Sequence, residues 1–460
     1  MSLNELILKA DLNTYGIVYT PENLVNSMLD LIPIKFFKNK NLKFLDVGAG
    51  KGAFSLNLLN RLIKNLRDEF ETDEACKTYI LENMLYMVEI YKPHIDILIS
   101  LFGNQANIIT MSFLSTDECS LGKFDFIIGN PPYNINGSIK TPTNSKIKKV
   151  EDGKAIYAEF IIKSIELLNY AGFINFVVPS LWLKPDKSGL YNILTEMKIH
   201  NLACLSTSAS SKAFEYKAQT PVTYFLIENS YEPKKNNVSS FSIYDKIENE
   251  YISYTLKKNE PIPINGIKII NRMKKYLDKY GHLKFGKTNT PSLKMKISDK
   301  MGVNFFINPN IKTCLLDGLK PKIVLNYSNI KCKYSDNKPK LVLAHKMYGF
   351  PYLDFDGTLG VSTRDNYIIN DYSLDELEEI QLFLSSKFAL FIFSVCNYRM
   401  RYLEKYAFKF LPDISKIPNF PKLKDTNRCE RDLIIYKFFS LTKKEIEFIE
   451  NSFKNYDFFI

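Results

Sequence analysis

Leu42-Lys43-Phe44-Leu45-Asp46-Val47-Gly48-Ala49-Gly50-Lys51-Gly52-Ala53-Phe54 is the stretch that decides how this chain folds. A short apolar run ends in a carboxylate, three glycines follow at alternate positions, and a helical period takes over through Phe54–Leu66. A buried strand, a glycine turn and a helix in that order make the opening unit of an α/β sheet. Glycine lets the backbone come close to a ligand, and the amino end of the helix favours negative charge. The spacing is G-x-G-x-G, not the G-x-G-x-x-G of dinucleotide sites, and no Ser or Thr follows the Gly-Lys pair as in a phosphate-binding P-loop. The bland alternative is a plain glycine turn.

Outward from this stretch the same alternation continues. Met84–Glu89, Asn107–Thr110, Phe124–Ile128, Gly172–Val178 and Pro221–Ile227 read as further short buried strands. Pro93–Leu101 and Tyr157–Leu168 read as helices, the first with proline in its opening turn. Strands alternating with helices imply a mostly parallel sheet. Asp46, just ahead of the glycines, would repel a pyrophosphate but suits the ammonium of an amino acid, which points to S-adenosylmethionine. Glu89 closes the second strand, where a ribose-binding acid belongs, although it follows Asp46 by 43 residues rather than the usual ~20. The charged helical stretch Arg61–Glu82 accounts for the excess as an insertion. Glu89 could otherwise cap the helix that begins at Pro93.

Asn130-Pro131-Pro132-Tyr133 follows the fourth strand directly. An amide side chain, a backbone carbonyl and an aromatic ring can meet there around one planar amine, a pocket suited to holding a nucleobase or carboxamide during alkylation. Pro-Pro after a strand can also be no more than a stiff exit turn.

Charge is unevenly placed. Net charge is +11, yet residues 1–230 hold 23 Lys/Arg against 24 Asp/Glu, while residues 231–460 hold 38 against 26. A basic half suggests a polyanionic partner; genome-biased Lys and Asn usage is the alternative. The polar segment from Tyr231 to Asn259 places a domain boundary, with domains 1–230 and 231–460. Beyond it come short aromatic strands at Lys340–Leu343 and Tyr367–Ile369, a helix over Leu374–Cys396, and a closing helix whose Thr442 and Glu445 form a capping box. Seven scattered cysteines without a C-x-x-C pair, and four histidines, argue against a zinc ribbon or disulfide framework, so no metal is expected. Neither a secretory leader nor a membrane-length apolar run is evident, so the expectation is a soluble cytoplasmic protein with no membrane partner, of bacterial or viral origin.

Taken together, Asp46–Phe54, Glu89 and Asn130–Tyr133 resemble the ordered motifs of S-adenosylmethionine-dependent DNA methyltransferases that act on amino groups. Gly16-Ile17-Val18-Tyr19-Thr20-Pro21-Glu22-Asn23-Leu24-Val25 resembles the element of that family that packs over the methionine end of the cofactor. Its position first, with the glycine loop, the tetrad and a long C-terminal region after it, is similar to the γ (type II) arrangement. Lys409–Asp413 and Leu441–Ile446 resemble C-terminal stretches of type II modification enzymes.

The resemblance implies a doubly wound, mostly parallel, seven-stranded Rossmann-like methyltransferase sheet, followed by a mixed α+β target-recognition domain. It implies S-adenosylmethionine held by Tyr19, Thr20, Asp46, Gly48, Gly50, Gly52, Glu89, Ser112, Phe113 and Asn130. Asn130 and the Pro131 carbonyl would accept the two hydrogens of adenine N6, with Pro132 shaping the turn, and Tyr133 and Phe214 would clamp the flipped base. The family usually has Asp-Phe-Leu where this chain has Ser112-Phe113-Leu114, which puts the hold on the cofactor adenine in doubt; Asp117 is a nearby substitute. Lys346, Tyr348, Arg364, Asn366, Arg399 and Arg401 are candidate contacts to double-stranded DNA, and the lysine-rich loop Lys140–Lys154 could clamp the strand. A cognate restriction endonuclease is a candidate partner. N4 of cytosine is an alternative target. The same tetrad also occurs in RNA methyltransferases and in protein-glutamine methyltransferases, but the glutamine enzymes lack a basic C-terminal half. A non-catalytic DNA-binding scaffold is the alternative of another class.

Overall fold

A computed structural model describes residues 18–134, 155–186, 188–215, 220–231, 238–288, 294–317, 320–345, 351–399 and 403–455. The chain divides into two compact units, residues 1–244 with 253–259, and residues 245–252 with 260–460. The sequence-based boundary at 230/231 falls ahead of two strands that extend the sheet of the first unit.

That sheet has nine strands in the order β3-β2-β1-β4-β5-β7-β6-β8-β9. They are β1 (Phe44–Asp46), β2 (Leu85–Val88), β3 (Asn107–Ile109), β4 (Phe124–Gly129), β5 (Leu168–Pro179), β6 (Lys198–Leu205), β7 (Val222–Glu228), β8 (Val238–Asp245) and β9 (Glu250–Lys257). The expected seven-stranded sheet is therefore exceeded, and the sheet is mixed. β1 to β5 run parallel, and β7 runs antiparallel to both β5 and β6.

The central strands are apolar because they are covered on both faces, as parallel strands require. Phe44, Phe126 and Phe173 occupy matching register positions on β1, β4 and β5. Their rings stack at 4.9 Å on each side of Phe126, and Phe36 meets Phe126 and Phe173 edge-on at 5.1 Å. Full burial of each ring contributes about 1.5–3 kcal/mol. Helices α1 (Glu22–Leu29) and α2 (Ala53–Leu66) bury Leu24, Val25, Met28, Leu58, Leu59 and Leu62 in the same core cluster. The charged insertion is helical in part: α3 (Asp73–Asn83) begins at Thr72, whose side chain accepts from the Ala75 N–H. Next, α4 (Lys92–Phe102) carries Pro93 in its first turn.

Because β1 pairs with β2 on one side and β4 on the other, the chain reverses direction across the sheet at β1. Ligands of open α/β sheets bind outside the carboxyl ends of the strands at such a point.

The second unit is mixed α and β. Its strands are β10 (Gly286–Lys287), β11 (Ile297–Ser298), β12 (Asn308–Asp317), β13 (Lys320–Ser328), β14 (Lys340–Ala344), β15 (Pro351–Asp354), β16 (Gly360–Val361) and β17 (Asn366–Ile369). Among the described residues they form two four-stranded sheets, β10-β17-β14-β15 and β11-β13-β12-β16. The expected helix over Leu374–Cys396 is two helices, Leu374–Leu384 and Lys387–Ser394: Ser385 caps the end of the first, and Ser386 caps the start of the second by accepting from the Ala389 N–H. The last helix, Lys443–Ser452, starts after Thr442 with the capping box in place. Among the described residues no helix is long and apolar enough to cross a membrane.

Candidate active site

A cleft open to solvent lies at the carboxyl ends of β1, β2 and β4. Its walls come from Val18–Thr20, the glycine loop, Glu89, His94, Met111–Phe113, Asn130 and Pro132.

The loop is shaped by its glycines. Gly50 has φ +56° and Gly52 φ +86°, in the left-handed region where side chains are strained. A Cβ at Gly52 would sit 3.1 Å from both Leu98 and Phe102, so the turn also lies close against α4. A Cβ at Gly48 would meet nothing within 4 Å. That side of the loop is open.

Glu89 ties this loop to the next. Its Oε2 accepts from the Gly50 N–H at 2.8 Å, and its Oε1 accepts from the Ile90 and Tyr91 N–H groups at 2.8 Å each. The side chain is buried yet borders the cleft. Burial alone would raise its pKa; His94 and the Tyr91 and Ile90 N–H groups outweigh it and hold the carboxyl below the usual range. His94 Nδ1 lies 3.4 Å from Oε2, an ion-pair distance without hydrogen-bond alignment, while His94 Nε2 meets the Tyr19 hydroxyl at 3.0 Å. Burial, and next the Glu89 charge, push the Tyr19 phenol up. Lys51 Nζ stands 4.5 Å from the centre of the Tyr19 ring.

Asn130 is oriented from the same segment. Its Nδ2 donates to the Val18 carbonyl at 3.2 Å and to Thr20 Oγ1 at 3.0 Å. A carbonyl can only accept, so the amide nitrogen must face Val18 and the oxygen must point the other way. That Oδ1 is buried and has no hydrogen-bond partner. An unmatched buried acceptor costs about 1–3 kcal/mol.

Several sequence assignments change. Asp46 is fully buried and does not border the cleft: Ser55 Oγ donates to its Oδ2 at 2.8 Å, and Oδ1 has no partner. Burial pushes its carboxyl up to about 7. Thr20 borders the cleft, but its hydroxyl is engaged by Asn130. Ser112 and Phe113 border the cleft, whereas Asp117 does not. Pro131 is buried and does not border the cleft, whereas Pro132 does. Tyr133 is partly buried against the main core, its hydroxyl enclosed without a partner and pushed up by burial. Phe214 belongs to that core at 1% exposure, so as it stands it is a core residue. Val18, Lys51, His94, Met111 and Phe160 line the site without having been singled out from sequence. For His94 there was a signal: one of only four histidines, five residues past Glu89 at the start of a helix.

Residues 13–214 match the family described as Eco57I restriction-modification methylase. Over this stretch the chain is similar to type II DNA methyltransferases. A type II methyltransferase of Geobacillus stearothermophilus, M.BstVI, is 28% identical over 195 residues, covering 37% of this chain and 34% of that one. An adenine-specific methylase of Mycoplasma pneumoniae, described as uncharacterized, is 26% identical over 123 residues, 26% of this chain and 27% of that one. The chain thus spans about a third of the length of the curated relatives it matches. Among solved structures, the type IIL restriction-modification enzyme MmeI in complex with DNA shows 14% identity over 99% of this chain and 76% of that one, with a TM-score of 0.43.

Of the residues expected to contact DNA, Lys346, Tyr348 and Arg401 lie outside the described residues, as does the loop Lys140–Lys154. Arg364 is exposed, and Arg399 is exposed with its Nε 3.9 Å from Glu404 Oε1. Asn366 is fully buried, its amide donating to the Lys312 carbonyl and to Thr363 Oγ1. It braces the second unit and does not offer its amide to a base edge.

Proposed function

We propose that this chain transfers a methyl group from S-adenosylmethionine to N6 of an adenine flipped out of duplex DNA, as the modification enzyme of a restriction-modification pair. The observation that carries the reading is Asn130: a carbonyl and a hydroxyl fix its amide so that an unpaired acceptor is left beside a glycine-lined cleft.

The residues present fit the cofactor. The turn at Gly48–Gly52 has an open face, and Tyr19, Glu89, Ser112 and Phe113 stand round it. A carboxylate offers about four acceptor sites, and three N–H groups use Glu89, which leaves capacity for a ribose hydroxyl. When bound, S-adenosylmethionine supplies an electrophilic methyl carbon. The chain's own part is positioning and electrostatics. Adenine N6 is a poor nucleophile because its lone pair is shared with the ring. Asn130 Oδ1 and the Pro131 carbonyl, accepting its two hydrogens out of plane, turn the lone pair toward the donor. Tyr133 provides a face for the base to stack on. Since Oδ1 is covered in this structure, an entering base must displace what encloses it; clamping of the base by Phe214 would require that ring to leave the core in which it now sits. The basic second unit holds the duplex, with a cognate endonuclease as the other half of the pair, inside the cell where DNA and cofactor meet. The mention of adenine among the relatives and the Asn at the head of the tetrad favour N6.

The test is direct. Incubating the full chain with mixed-sequence DNA and cofactor, then separating the hydrolysed nucleosides by mass, should yield N6-methyladenine. N4-methylcytosine instead would correct the target, and no methylated nucleoside would refute the reading.

A further inference from the structure

The second unit carries a surface that the transfer step does not use. β11 (Ile297–Ser298) and β12 (Asn308–Asp317) both pair with β13 (Lys320–Ser328), one on each side. The connection over residues 299–307 must therefore cross the end of β13. A Gly302 N–H to Phe306 carbonyl bond of 3.1 Å closes this crossing into a turn, and the Phe305 and Phe306 rings meet edge-on at 4.9 Å. The turn displays apolar side chains outward: Met301 is 67% exposed, Val303 93%, Phe305 48% and Ile307 50%. Ile330, next to the strand end, is 45% exposed. Four apolar side chains exposed within one short turn, one of them in ring contact with Phe306, form a candidate interaction surface.

What surrounds it identifies the partner. Residues 291–340 contain ten lysines and only three acidic residues. Lys296 and Lys300 flank the turn in sequence, Lys331 and Lys333 follow the end of β13, and all four are exposed; Lys296 Nζ stands 5.7 Å from the centre of the Phe305 ring. Protein interfaces are depleted in lysine, whereas nucleic-acid surfaces concentrate it around phosphates. Apolar side chains set among such cations pack between or against bases, where they grip and bend the duplex.

We propose that the 299–307 turn is an apolar wedge that packs against the bases of duplex DNA while the lysines round it neutralise phosphates. The proposal rests on the reading of the chain as a DNA methyltransferase. It assigns to the second unit a non-electrostatic component of binding that net charge alone does not supply.

The test uses the full chain and a fluorescent mixed-sequence duplex, with affinity measured across a salt series and extrapolated to molar salt. Val303→Ser combined with Phe305→Ser should weaken binding about tenfold at every salt, the equivalent of one partly buried apolar side chain, with the slope unchanged. Lys296→Gln with Lys331→Gln and Lys333→Gln should instead flatten the slope by about 2–3, since each phosphate contact contributes about 0.9. All five residues are exposed, so the variants keep the fold. The wedge is overturned if the Val303/Phe305 variant binds the duplex within twofold of the parent. It is also overturned if that variant changes only a monomer–dimer equilibrium, or only binding to anionic phosphatidylglycerol vesicles, with DNA affinity untouched. A parent that methylates DNA while the variant binds normally sinks the wedge alone. A parent that binds no duplex sinks both the wedge and the transfer reading.

Discussion

Replacing Glu89 by glutamine tests whether one carboxylate organises the cleft. Three N–H groups converge on it at 2.8 Å, two on Oε1 and one on Oε2. Glutamine offers one acceptor oxygen and one NH2. With its oxygen toward Ile90 and Tyr91, its nitrogen faces the Gly50 N–H, donor against donor; reversed, two donors are left unmatched. The cheaper arrangement loses one partner, worth about 1–3 kcal/mol for a partly buried donor. The two surviving bonds change from charge-assisted to neutral, roughly halving each. The sum is a destabilisation of about 2–4 kcal/mol, felt at the Gly50 turn and hence in cofactor affinity. Trp182 is the only tryptophan of the chain and is fully buried against Phe225 in the first unit. Its fluorescence therefore reports urea unfolding of that unit, and calorimetry with S-adenosylhomocysteine reports the site. The pH dependence supplies the sign. The Glu89 carboxyl is held below its unfolded value, so its stabilisation is present above about pH 4.3 and is lost as pH falls through the folded pKa. Glu89→Gln should lack that acid-sensitive component. If the variant unfolds within about 0.5 kcal/mol of the parent and binds S-adenosylhomocysteine equally well, Glu89 does not organise the site and the reasoning is wrong.

Other perturbations separate chemistry from scaffolding. Asn130→Ala should slow single-turnover transfer by about 100–1000-fold, the scale of a lost electrostatic contact to a reacting group, with calorimetric cofactor affinity nearly unchanged; full activity would remove Asn130 from its role. Asp46 is buried with its pKa pushed up to about 7, above an unfolded value of about 3.9. Its stabilising contribution is thus full below about pH 3.9 and is lost as pH rises toward 7. Asp46→Asn keeps an acceptor for Ser55 and should gain on the parent across that window, by as much as a few kcal/mol, in urea midpoints of the cofactor-free protein at pH 5 and pH 8. Parallel curves would show that Asp46 is not forced to take up a proton. Gly52→Ala, at φ +86° with Leu98 and Phe102 each 3.1 Å from the new Cβ, should cost about 1–2 kcal/mol and lower Tm; an unchanged Tm would mean the turn adapts freely.

The parts of the fold legible in sequence are those where period and burial agree. At 42–66 a buried strand, a glycine turn and a helix each impose a different spacing, so the switch between them is visible. β6 does not announce itself: Lys-Ile-His-Asn-Leu-Ala-Cys-Leu breaks alternation, and the structure has a bulge between Ile199 and Asn201. β8 and β9 do alternate, burying Phe241, Ile243, Tyr254 and Leu256. Their outward positions carry Ser, Thr, Tyr and Lys, and that mostly polar face reads as a linker. The site divides in the same way. Gly50, Gly52 and Asn130 have residue-type requirements that chemistry dictates in advance, whereas the roles of Thr20 and His94 depend on contacts across 110 and 75 residues of chain. Asn366 shows the limit for polar residues, because an amide that braces a core and one that reads a base edge have the same letter. Met301–Ile307 shows the converse for apolar ones. Written as a string it has the alternation of a half-buried strand, yet Val303 is 93% exposed, since the two strands it joins flank a third and the connection is carried over the end of the sheet. Hydrophobicity identifies residues that avoid water but not the surface that will cover them. In the first unit that surface is the chain's own sheet, whereas no described residue covers Val303, and the proposed wedge has duplex DNA supply the cover.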